Sequence, residues 1–130
     1  MSTPSRYAEF HRRSITDRDG FWREQAALID WHKPFDQVCD YSRPPFATWF
    51  AGGLTNLCHN AVDRHLKDRA DQNALIFVST ETDTERVYSF RELHAEVQRM
   101  AAVLLSLGVK KGDRVLIYMP MIPEAAFAML

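Results

Sequence analysis

The chain reads as an α/β protein in which an irregular, aromatic opening precedes the start of a sheet subdomain made of hairpin, helix and parallel strand. Three observations predict this. Residues 74–78 (Ala-Leu-Ile-Phe-Val) and 115–119 (Val-Leu-Ile-Tyr-Met) are apolar runs of strand length. Between them, Phe90, Leu93, Val97, Met100, Ala101, Leu104 and Leu105 recur at helical spacing. Strand, helix, strand in that order implies a right-handed crossover within one sheet.

In the opening, the aromatic residues Tyr7, Phe10, Phe21, Trp22, Trp31, Phe35, Tyr41, Phe46, Trp49 and Phe50 and the prolines Pro4, Pro34, Pro44 and Pro45 fall within the first fifty positions. One helix is predicted there, with Asp19 as N-cap and Phe21, Trp22, Ala26, Leu28 and Ile29 on one side. The rest has little periodicity and suggests an extended strap that buries its rings against a body it wraps; a small helical cap with its own core is the alternative. Residues 55–67 are predicted as a single helix, with Leu54, Leu57, Cys58, Ala61, Val62, His65 and Leu66 on one face and Asp63 able to pair with Lys67.

The second half is more regular. Residues 81–84 should turn the strand 74–78 back into a short strand at 86–88. Ser89, with Glu92 three residues on, forms the signature of a capping box, and Gly108 stands where a helix closes in the left-handed conformation. The run 115–119 is almost continuously apolar, as a parallel strand covered on both faces would be. The chain then enters a further apolar helical run, 123–130, with neither glycine cap nor terminal cation. That ending suggests the front piece of a longer protein.

Composition narrows the class. Hydrophobic residues make up 46% and charged residues 25%, with a net charge of −1; this offers no basic surface for nucleic acid or anionic lipid. Cys39 and Cys58 match neither a CxxC spacing nor a disulfide framework, which favours a reducing compartment. The first residues lack a secretory apolar stretch, and the longest apolar run, 100–109, is about half the roughly 20 residues a membrane span requires. A cytoplasmic protein with no nucleic-acid or membrane partner is expected.

Catalytic chemistry is hard to find. Phosphate loops need glycine between a strand and a helix, whereas Gly20, Gly52, Gly53, Gly108 and Gly112 border helices or turns. The loop 120–123 leaves the carboxyl end of the strand 115–119, where α/β sheets bind ligands, but it carries no charge or hydroxyl and reads as packing. His59 and His65 lie six apart on different helix faces, so no metal spacing arises; His65 reads as a partly buried ring. His11, His32 and His94 have no carboxylate or thiol partner at a telling interval. Cys58 and His59 are helix neighbours about 100° apart and cannot form a thiolate pair. Arg12–Arg13 and Lys110–Lys111 are too few for a nucleic-acid footprint.

Several blocks nonetheless carry a resemblance across the whole chain. They are Trp49-Phe-Ala-Gly-Gly-Leu-Thr-Asn-Leu-Cys-His-Asn-Ala-Val-Asp-Arg-His65, the run 74–78, Tyr88-Ser-Phe-Arg-Glu-Leu-His94, and Lys111-Gly-Asp-Arg-Val-Leu-Ile-Tyr-Met-Pro-Met-Ile-Pro-Glu-Ala-Ala126. In order and spacing they resemble the N-terminal region of the short-chain, AMP-forming acyl-CoA synthetases, adenylate-forming ligases. The opening, from Tyr7 through Phe21-Trp22 to Trp31, is most similar to the propionate-activating members.

The resemblance implies that residues 1–70 are an N-terminal extension and that residues 71–130 begin the large AMP-binding domain. It implies a two-step reaction in the parent enzyme: a carboxylate attacks ATP to give an acyl-adenylate and pyrophosphate, and the CoA thiol then displaces AMP. ATP, CoA and Mg²⁺ would serve that enzyme, with propionate or acetate as substrate. The family's phosphate loop, acyl pocket, CoA-binding arginines and catalytic lysine have no matching positions here. No catalytic, cofactor-binding or metal residue is therefore assigned, and this piece is expected to bind no cofactor and to be inactive alone. An acetate-activating enzyme is the nearest rival; a stand-alone α/β interaction module is the alternative from another class.

Overall fold

A computed structural model of the chain describes residues 6–130; Pro4 of the opening lies outside them. The chain divides into two compact units between Asn56 and Leu57. Residues beyond Asn56 join the second unit because Val62, fully buried, belongs to its core.

The first unit contains two helices, α1 (Arg6–Thr16) and α2 (Arg18–Ala26), and four short strands, β1 (Trp31–Lys33), β2 (Gln37–Arg43), β3 (Phe46–Ala51) and β4 (Leu54–Thr55). α2 starts two residues earlier than expected. Asp17, not Asp19, is its N-cap and accepts the Gly20 N–H at 3.2 Å; Asp19 sits in the first turn, where a negative charge suits the helix N-terminus. Trp31 helps to end the helix, since its indole N–H donates to the Ala26 carbonyl at 2.9 Å, one of the acceptors a helix terminus leaves unpaired. Leu28 and Ile29 therefore lie beyond the helix and are exposed.

β2 and β3 pair antiparallel with Cys39 opposite Trp49, across the Pro44–Pro45 connection, whose peptide bond is cis. β1 and β4 pair antiparallel, Trp31 opposite Thr55. Phe21, Ala26, Val38 and Cys39 are buried. The aromatic residues pack on one another in a continuous run: Phe10 against Phe21, then Trp22, Trp49 and Phe50, which meets Trp31 and Phe35, all with ring centroids 4.6–6.0 Å apart. Other rings of the opening, Tyr7 and Phe46 among them, stay largely exposed. The Phe10–Phe21, Phe21–Trp22 and Trp22–Trp49 pairs meet edge to face, contacts of about 0.5–1.5 kcal/mol each.

The second unit starts with α3 (Leu57–Ala61), a 3₁₀ turn (Asp63–His65) and α4 (Leu66–Arg69), where one continuous helix was expected. The break falls at Val62, whose φ of −129° and ψ of −63° leave the helical region and turn the side chain into the core. β5 (Asn73–Ser79) and β6 (Thr84–Ser89) form the expected antiparallel hairpin, Phe77 opposite Arg86. α5 (Phe90–Ser106) follows with the full capping box: the Ser89 Oγ accepts from the Glu92 N–H, and the Glu92 carboxylate accepts from the Ser89 N–H. Gly108, at φ 84°, closes it. α6 (Pro123–Met129) carries Pro123 in its first turn, where the missing N–H costs nothing. Val62, Leu93, Val97 and Phe127 form the core, flanked by Cys58, Leu75, Tyr88 and Met100.

Residues 115–119 differ from expectation. The described residues form three two-stranded antiparallel sheets, and this segment belongs to none of them. Leu116 and Tyr118 are 89% and 96% exposed. A parallel strand gains its stability from a neighbouring strand and from cover on both faces, and the described residues supply neither.

Candidate functional site

Among the described residues, three of the places that gather polar groups bear on a candidate site. An open groove of about 680 Å³ lies between the β5–β6 turn and the loop leading into α6, bounded by Phe77, Ser79, Thr82, Arg86, Pro120 and Glu124. Two of its four hydroxyls are engaged locally: Ser79 Oγ accepts from the Thr82 N–H at 3.3 Å, and Thr84 Oγ1 donates to the Thr82 carbonyl at 3.1 Å. Arg86 faces a lining that also holds Glu81 and Glu124, so the groove has no surplus of positive charge for an anion. The loop 120–123 thus lines a concavity whose charges all come from the hairpin and α6.

The second place is a cluster that sequence reasoning missed. Asp63 Oδ1 accepts from the Cys58 thiol at 3.8 Å and lies 3.7 Å from His94 Nε2. Asp63 is thereby turned toward α3 and α5 rather than toward Lys67. Catalytic cysteines need a base or a positive charge at the sulfur to release the proton. Here burial comes first, then the charge and hydrogen bond of Asp63, and all of them push the Cys58 thiol above its ordinary value. The carboxylate stands between thiol and imidazole, an order that protects the proton. The cluster ties the 3₁₀ turn to α3 and α5, and no nucleophile is activated.

The third is the capping region of α5. Glu92 is held below the ordinary carboxylate range by the Ser89 N–H and hydroxyl, a structural use of its charge.

The remaining candidates disperse. His65 packs its ring on Phe90 at 5.1 Å and His11 on Tyr7 at 6.1 Å. Arg13 pairs with Glu24 at 2.6 Å, the Lys110 N–H donates to Asp113 at 2.7 Å, and Cys39 is buried among the first unit's core residues. Among the described residues no group of three His, Cys, Asp or Glu side chains could hold a metal ion. Gly52 and Gly53 are crowded by Asp36 and Trp31, so neither offers bare backbone to a phosphate. The described residues do not fit ATP, CoA or Mg²⁺.

A family model described as acetyl-coenzyme A synthetase N-terminus matches residues 7–61, and one described as AMP-binding enzyme matches residues 62–130, more than half of the chain. The chain belongs to the AMP-binding enzyme family. A propionate–CoA ligase of Salmonella typhimurium is 59% identical over 95% of the chain and 20% of its own length. An acetyl-coenzyme A synthetase of Methylobacterium radiotolerans is 50% identical over 97% of the chain and 20% of its own length. The structure of an acetoacetyl-CoA synthetase from Streptomyces lividans superposes with a TM-score of 0.82 at 33% identity, over 99% of the chain and 20% of that protein. The chain therefore spans about one fifth of the length of the relatives it matches, and its mixed helix-and-strand fold is that of the N-terminal part of an adenylate-forming AMP-binding enzyme. No helix among the described residues is long and apolar enough to cross a membrane.

Proposed function

We propose that this chain is the N-terminal scaffold of an ATP-dependent ligase that converts propionate to propionyl-CoA through an acyl-adenylate. The first unit serves as the N-terminal extension and the second opens the large AMP-binding domain. In the whole enzyme the carboxylate displaces pyrophosphate from ATP, and the CoA sulfur then displaces AMP to form the thioester; Mg²⁺, held by residues other than those described, would neutralise phosphate charge. Those groups are held by parts of the protein other than the residues described here. The observation that carries the reading is the higher identity to the relative named propionate–CoA ligase than to the one named acetyl-coenzyme A synthetase, along nearly the whole chain. The free thiols of Cys39 and Cys58 suit a reducing, cytoplasmic setting.

The test is a substrate comparison on an enzyme of the relatives' full length that carries this sequence. One methylene in an apolar pocket is worth about 10-fold or more in kcat/KM, so propionate is expected to exceed acetate by at least that factor. A preference for acetate would transfer the assignment to acetyl-CoA synthesis, and absence of CoA-dependent AMP formation with either acid would end the ligase reading.

A further inference from the structure

We draw no further inference here: the strongest candidate, the exposed apolar segment at residues 115–121 between α5 and α6, carries nothing because nothing in the structure shows what covers it.

Discussion

At Cys58, burial and the adjacent Asp63 carboxylate both oppose the thiolate, and reactivity follows the thiolate population. Alkylation of Cys58 by iodoacetamide, followed by mass spectrometry across a pH series, should therefore rise only at a higher pH than for an ordinary cysteine. Asp63→Asn removes the charge but leaves the burial, so the rise should move to lower pH while staying above that of a free thiol; an unmoved profile would discard Asp63 as a cause. Two of the three positive-φ glycines separate strain from collision. Gly108, at φ 84°, has nothing near a would-be Cβ, whereas Gly52, at φ 79°, would drive one into the Asp36 carboxylate. In urea unfolding Gly108→Ala should cost about 1–2 kcal/mol of left-handed strain and Gly52→Ala clearly more; equal costs would contradict the crowding. Gly108 was legible in the sequence because a helix stop is a local event. The Asp63–His94 contact was not, because it joins residues that only the fold brings together.

Local chemistry also decides which elements could be read in advance. The Ser89–Glu92 capping box is complete within four residues, so α5 begins where the sequence placed it. Ser89→Ala should lower stability by about 1 kcal/mol at neutral pH. Glu92 has its folded pKa depressed, so its contribution is fully present above the unfolded value and is lost as the pH falls through the folded one. The Ser89 hydroxyl also donates to that carboxylate, while the Glu92 N–H to Ser89 Oγ bond is lost to the variant at every pH. The gap in urea midpoint between the parent and Ser89→Ala should therefore narrow without closing as the pH drops below the ordinary glutamate range; a gap constant down to about pH 3 would deny the hydroxyl–carboxylate bond its role.

Other elements escaped because tertiary contacts fixed them. Val62 leaves helical geometry to fill the core, a choice the periodicity of residues 55–67 conceals. α1 has no buried side chain, and the sequence placed no helix there. In the segment 115–119 composition announced a strand, but strand pairing depends on a neighbour elsewhere in the chain.

Taken whole, the chain holds two small cores, one around Phe21 and Val38 and one around Val62, Leu93, Val97 and Phe127. Its polar clusters are spent on caps, turns and a protonated thiol. The α/β class and the synthetase resemblance were legible because strand and helix periods, and blocks in fixed order, survive in sequence. The compactness of the first unit was not, since widely spaced rings give no sign that they will meet one another. The groove beside the β5–β6 turn holds one cation, Arg86, beside two carboxylates, Glu81 and Glu124. The most direct test of scaffold without chemistry is ATP–pyrophosphate exchange with propionate, measured on the 130-residue chain beside an enzyme of the relatives' full length. The chain should give no exchange above the protein-free blank while the full-length enzyme exchanges readily; propionate-dependent exchange by the chain itself would contradict the account.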